Sequence, residues 1–298
     1  MTGYDAQFLG PDEAVRVPLP TAGRPLRQLD HPRFSVLLDP QRRLAAATAC
    51  TVDGARLRPL PRSGSWRLDP QAPPHEQAGN ELYRHNPLDR GHLVRRLDPM
   101  WGTIEEAREA GEATFVYTNA APQVAELNQS KELWNGLEDH VLEYADAHDH
   151  RVVVQTGCVF LGADPVYRGV AIPRQFWKVV AWAAAGDGPG TGSPAPTLQS
   201  AAFVLDQTPL LTDAELSTAT GRALAVGHVP PLGPFRTFQV PVADVERLTG
   251  LGLGPLVAAD VRGPAPDRPL EPRTVSHRPP SGWTELTGPA DVVPSPPR

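Results

Sequence analysis

Apolar runs of strand length, cut by proline and glycine, dominate the pattern of this chain. Phe34-Ser35-Val36-Leu37-Leu38 reads as a strand, and Asp39-Pro40-Gln41-Arg42 places proline where a turn wants it. Leu44 to Val52 returns as a second strand, which predicts a hairpin. Arg151 to Phe160 and Gln175 to Ala184 are apolar, β-branched or aromatic runs of strand length, and Ala201 to Leu205 and Thr237 to Val240 are shorter ones. Thr114-Phe115-Val116-Tyr117 predicts a short buried strand between polar segments. Gly186 to Ser193 is a Gly/Pro/Ser loop, and Gly54 to Gly79 is a long loop rich in Arg and Pro. Residues 1–30 are polar and proline-punctuated, and predict an arm laid on the surface.

Helical periodicity is clearest at Trp134, Leu137, Val141, Leu142, Tyr144 and Ala145, which recur at three- and four-residue steps with Glu138 and Asp139 near the edge of the stripe. Thr103 to Ala110 is a weaker helix, with Thr103 as N-cap and Glu106 three positions on as its box partner. Ala243 to Thr249 is a short helix closed by Gly250. From Val261 onward proline dominates, as in Pro279-Pro280 and Pro294-Ser295-Pro296-Pro297, and such a segment cannot continue a ladder. The organisation expected is one domain over 1–260, N-terminal arm included, and a proline-rich tail over 261–298, without internal repeats.

Composition adds three constraints. Of 298 residues, 40% are apolar and 21% charged, a globular balance, while 35 prolines demand many loops or a proline-rich tail. A net charge of −6 argues against a chain coated in positive charge, but leaves nucleic-acid enzymes open, because only the patch that meets phosphate must be basic. Cys50 and Cys158 lie in apolar strand-like stretches and are expected as buried free thiols. The N-terminus has no basic start or apolar core of a secretory signal, and no run is long enough to span a bilayer, so the expected location is cytoplasmic.

Chemistry concentrates in Asp89-Arg90-Gly91-His92, followed by Tyr117-Thr118-Asn119-Ala120-Ala121-Pro122-Gln123 and Leu127-Asn128-Gln129. A histidine that takes a proton, an arginine that holds phosphate and an asparagine that holds a hard cation suffice to cut a phosphodiester. The ordered set, with a downstream Leu137-Glu138, resembles the DNA/RNA non-specific endonuclease family, which includes mitochondrial endonuclease G and sugar-nonspecific bacterial nucleases. The likeness runs from about Phe34 to Leu256 and takes in Asp164-Pro165, Tyr167-Arg168-Gly169, Ile172-Pro173 and Phe176-Trp177-Lys178-Val179. It implies an α+β fold, a central antiparallel β-sheet with flanking helices, and a ββα-metal finger active site of the His-Me type. It also implies DNA and RNA as substrates, a 5′-phosphate and a 3′-hydroxyl as products, and a homodimer as a compatible state.

The resemblance assigns His92 as general base, Arg90 as phosphate clamp, Asn128 as the one protein ligand of Mg²⁺ (or Mn²⁺ in its place), and Asn119 as the residue that fixes the site. Each has a plain structural alternative: a core or surface histidine, a surface ion pair, a helix N-cap and a strand-end turn. Gly91 is expected to let the backbone approach the phosphate, and Asp89 to be a structural acceptor. Glu138 departs from the family pattern, two residues further from Asn128 than expected, which on a continuous helix is a swing of about 200°. An insertion at Ser130-Lys131 ahead of the helix would restore it as a contact to metal-bound water.

His140, His148 and His150 with Asp139, Asp146 and Asp149 fit no tight zinc spacing and read as a solvated helix end. Arg95-Arg96 with Arg84 reads equally as a basic rim or a solvated face, and Trp101 and Trp134 as core. The leading reading is a metal-dependent endonuclease for DNA and RNA. Its rivals are a gated or inactive nucleic-acid-binding module on the same scaffold, and a phosphodiesterase for small nucleotides.

Overall fold

The apolar runs form one large sheet with a packed layer on each face. The computed structural model describes residues 3–124, 150–185, 195–209, 211–233, 236–263, 280–287 and 291–292. Its strands are β1 (Thr21–Ala22), β2 (Arg27–His31), β3 (Phe34–Asp39), β4 (Leu44–Asp53), β5 (Leu88–His92), β6 (Ala120–Val124) and β7 (Arg151–Val159). They continue as β8 (Val166–Tyr167), β9 (Val170–Ala171), β10 (Gln175–Ala184), β11 (Thr197–Asp206), β12 (Arg236–Val240), β13 (Leu251–Gly252) and β14 (Thr284–Leu286). Eight of them pair antiparallel in the order β14-β12-β11-β10-β7-β4-β3-β2.

Successive side chains of a strand face opposite sides. Val36, Val152, Val154 and Phe176 therefore join one core, with Tyr83, Leu88, Leu93, Tyr117 and Ala120, while Leu37, Val153 and Trp177 join the other, with Phe8, Val17, Val240 and Leu251. Covering both faces explains why β4, β7 and β10 read as continuous apolar runs instead of alternating ones. The β5–β6 hairpin sits on the first face, packed against β4.

The β3–β4 hairpin forms as expected, and Asp39 Oδ1 accepts from the Gln41 and Arg42 amides to set its turn. The helix expected at Thr103 to Ala110 runs Ile104–Ala113 with both bonds of its capping box made, Glu106 N to Thr103 Oγ1 at 3.2 Å and Thr103 N to Glu106 Oε2 at 2.9 Å. The helix expected at Ala243 to Thr249 runs Val242–Thr249 and stops at Gly250, whose φ of 66° is left-handed. Cys50 and Cys158 are buried free thiols. No described helix is long and apolar enough to cross a membrane.

Three expectations are corrected. Thr114–Tyr117 is buried but is not a strand: Val116 makes one isolated bridge to Arg67, and the chain turns into a 3-10 helix at Tyr117–Asn119. Its side chains pack around Trp66, and pairing with β5 begins only at Ala120. The N-terminal arm does not merely lie on the surface, because Val15 and Val17 are fully buried and β1 pairs with β13. Within the stretch expected as a tail, Thr284–Leu286 forms β14 and pairs with β12, and Trp283 is buried with its indole N–H on Asp244 Oδ2 at 2.7 Å. Residues 281–287 contain no proline, so nothing there prevents edge pairing. The helix expected around Trp134 to Ala145 and the Gly186 to Ser193 loop lie outside the described residues.

Candidate active site

His92 ends β5, opposite Ala120 of β6. Arg90, two residues earlier, shares its face of the hairpin, while Asp89 and Gly91 take the other, opposite Gln123 and Ala121. The His92 ring lies 4.6 Å from Trp66 and meets Phe115 nearly at right angles at 5.0 Å, and its Nε2 is buried without a hydrogen-bond partner among the described residues. Burial, reinforced by the guanidinium groups of Arg62 and Arg96, pushes the imidazole from its usual 6.5 down to about 3. His92 is therefore neutral at pH 7, with an available nitrogen and cationic neighbours.

Asn119 clamps the turn that follows. Its carbonyl accepts from Leu93 N at 3.0 Å, its Oδ1 accepts from Val94 N at 2.8 Å, and its Nδ2 donates to Val94 O and Thr114 O, each at 3.0 Å. Fully buried, the amide is spent on the backbone and orients the segment carrying His92. The adjacent Thr118 hydroxyl donates to Asp69 Oδ2 at 2.8 Å, and His31 Nε2 lies 3.0 Å from that same oxygen. Burial works against the Asp69 carboxylate, but hydrogen bonds from His31, the Gln71 amide and Thr118 hold it below the usual carboxylate range. Gln77 bonds Asp69 at both backbone groups and Ala72 at its carbonyl. The Arg/Pro loop is thereby fastened to the site, and with it Trp66 and Arg62.

Arg90 is held by its surroundings. Its guanidinium stands 5.3 Å from the Tyr83 ring centre and 5.9 Å from that of Tyr117, and Nη2 donates to Asn80 Oδ1 at 2.6 Å. The reason expected for Gly91 gives way to a packing reason: a Cβ there would overlap the carboxamide of buried Gln123, on the face away from His92. Arg96 is no free rim cation, since both its terminal nitrogens donate to Leu60 O at 3.1 Å and hold the Arg/Pro loop. Arg84 is exposed, and Trp101 is half-buried against Phe8.

The structure thus brings His92, Arg90 and Asn119 together. Asn128 and Glu138 lie outside the described residues, as do Trp134, His140, His148, Asp139, Asp146 and Asp149. Among the described residues no three His, Cys, Asp or Glu side chains converge on a point that could hold a metal ion. Sequence reasoning missed Arg62, Trp66 and Asp69. The available signal was a lone tryptophan followed by Asp69-Pro70 inside an otherwise polar Arg/Pro loop.

The chain is 35% identical over 304 residues to the uncharacterized protein y4fB of Sinorhizobium fredii, covering 92% of this chain and 42% of that protein. It is 28% identical over 210 residues to human mitochondrial endonuclease G, covering 66% of this chain and 59% of the relative, and 28% identical over 197 residues to the bovine enzyme, covering 62% and 54%. The chain thus spans about half the length of these relatives. A crystal structure of the EndoG/EndoGI complex superposes with a TM-score of 0.53 at 19% identity, over 77% of this chain and 86% of that one, which is a likeness of fold. The model of the DNA/RNA non-specific endonuclease family matches residues 10–260, from β1 to β13 and through the loop that closes over His92. By that match the chain belongs to the DNA/RNA non-specific endonuclease family.

Proposed function

We propose that this chain hydrolyses phosphodiester bonds in DNA and RNA without sequence preference, with His92 as general base. The observation that carries the reading is a neutral, walled-in imidazole on the hairpin that bears the family motif, its buried nitrogen without a partner among the described residues, with Arg62, Arg90 and Arg96 around it. A base whose conjugate acid titrates near 3 is always ready at neutral pH, but weak. The substrate supplies the remedy. Burial is the larger cause of the low value, and a phosphate seated on Arg90 and Arg62 offsets the part that Arg62 and Arg96 add to it, so basicity rises as the complex forms. His92 then takes a proton from the water that attacks phosphorus, and the guanidinium groups stabilise the added charge of the transition state. Asn119 keeps the imidazole in place and does not touch the reacting atoms.

The β5–β6 hairpin supplies the two strands of a ββα-metal finger, and the helix expected within 125–149 is its third element in this reading. In this reading Asn128 would hold Mg²⁺, or Mn²⁺ in its place, as a hard oxygen ligand, and Glu138 would serve as a contact to metal-bound water. Such an ion would neutralise charge growing on the leaving 3′ oxygen, and departure of that oxygen would leave 5′-phosphate and 3′-hydroxyl ends. The test is digestion of long DNA and long RNA with Mg²⁺ and then with a chelator. Cleavage of both polymers that stops on chelation supports the proposal. Binding without cleavage at every metal concentration selects the inactive-module reading, and cleavage confined to cyclic dinucleotides selects the small-nucleotide phosphodiesterase.

A further inference from the structure

Between Gly54 and Leu68 the chain carries Arg56, Arg58, Arg62 and Arg67 and no carboxylate. The backbone under this stretch is fixed. Leu57 bridges Trp101 and packs on the core, Arg58 N donates to Met100 O at 2.7 Å, and Gly102 N donates to Arg56 O at 2.9 Å. Arg56 and Arg58 flank half-buried Leu57 and are exposed. Pro59 and Pro61 stiffen the path onward, and Arg96 grips Leu60 O between them. At the far end the Arg62 guanidinium stands 5.4 Å from the Phe115 ring, the ring whose edge meets His92. Arg67 turns aside, donating to Glu112 O at 3.1 Å.

The charge along this rail is uneven. Arg56 borders a cavity of about 420 Å³ that also holds Arg33 and Arg151, but Asp5, Asp53 and Glu106 line it too. Arg33 pairs with Glu106 at 3.2 Å and Arg151 with Asp53 at 3.7 Å, so the cavity is balanced and its arginines are largely committed. Glu106 also faces Arg56 and blunts it. Among the described residues neither Arg58 nor Arg62 pairs with a carboxylate, and Arg58 makes only a hydrogen bond to Leu57 O at 3.1 Å. The uncompensated positive charge therefore starts at Arg58 and runs toward His92.

We propose that Arg58, with Arg56 beyond it, grips the phosphate backbone of the strand being cut, extending the footprint on one side of the scissile bond. This rests on the nuclease reading and assigns that site a preference for long polymers over short ones. Arg56 ends a 3-10 turn, and an extended, proline-stiffened path from Leu57 to Arg62 would span roughly 16 Å at about 3.1 Å per residue. Along the axis of a duplex that is between four and five base-pair steps at roughly 3.4 Å each. Guanidinium on phosphate carries no base information, so the grip adds affinity without sequence preference.

The test measures binding of a 30-base-pair duplex as a function of salt, with the H92A variant preserving the substrate. Adding R56Q/R58Q should weaken binding about tenfold at low salt and flatten the log–log salt slope by about 1 to 2. R56K/R58K should keep most of the slope. In the presence of His92, R56Q/R58Q should lower the ratio of kcat/KM on long polymer to that on a dinucleotide. An unchanged slope and affinity in R56Q/R58Q, with a melting temperature equal to that of the parent, overturns the rail while leaving the nuclease reading intact. Cleavage undiminished by H92A overturns the nuclease reading instead, whatever the slope does.

Discussion

His92 is neutral at pH 7 because the fold strips it of water and surrounds it with positive charge. Trp66 and Phe115 remove solvent from the ring, and Arg62 and Arg96 repel its proton. Because kcat/KM reports the free enzyme, its acid limb is expected well below pH 6.5, toward about 3. R62Q removes one repelling charge and should move that limb upward toward 6.5. A wild-type limb at 6.5 that R62Q does not shift contradicts this electrostatic account. Gly91 gives a second expectation at this scale. G91A should cost about 1–3 kcal/mol in urea unfolding, because the new Cβ overlaps buried Gln123; an unchanged midpoint would show that Gln123 has room to move. That His92, Arg90 and Asn119 lie together was legible because the motif that carries them is local wording. Arg62, Trp66 and Asp69 were not, because their roles arise only when a loop about thirty residues upstream closes over the hairpin.

The hairpin is the element that converts sequence wording into geometry. Strands β3, β4, β7 and β10 could be read from apolar runs, since burial on both faces leaves a continuous signal. Thr114–Tyr117 carries a similar apolar signal but is not a strand, for side-chain burial around Trp66 looks the same as ladder burial in one dimension. What terminates that run is Asn119, whose side chain replaces ladder bonds with three of its own. N119A should leave Val94 N, Val94 O and Thr114 O without these partners. A loss of about 2–4 kcal/mol in stability and a fall in kcat with little change in KM are expected. Full activity in a folded N119A would show that the clamp does not position His92.

For the whole molecule, proline count misled at both ends. Val15, Val17 and Trp283 are buried by partners far away in sequence, which local propensity does not encode. W283A should cost about 3–5 kcal/mol, since it empties a core position against Phe238 and removes the indole donor to Asp244; a melting temperature equal to wild type would return this stretch to a tail.

Among the buried groups with shifted titration, His92 and Asp164 pull acid stability in opposite directions. His92 stays neutral in the fold, so its contribution is lost as pH falls from 6.5 toward about 3. Burial raises the Asp164 carboxyl from 3.8 to about 6, against the pull of the Leu161 amide and Arg174, so its contribution is full below 3.8 and lost as pH rises through about 6. The two oppose each other over about pH 4 to 6, and D164N should steepen the loss of melting temperature between about pH 7 and 4. An acid limb identical to wild type would remove Asp164 from that balance.

The central claim is that His92 takes the proton from the attacking water. Its most direct test is the single-turnover nicking rate of a supercoiled plasmid in Mg²⁺, wild type beside H92A, with both melting curves recorded. A loss of at least about 10²-fold in H92A, in a protein that still unfolds cooperatively, is the expected result. Nicking at the wild-type rate by folded H92A would contradict it.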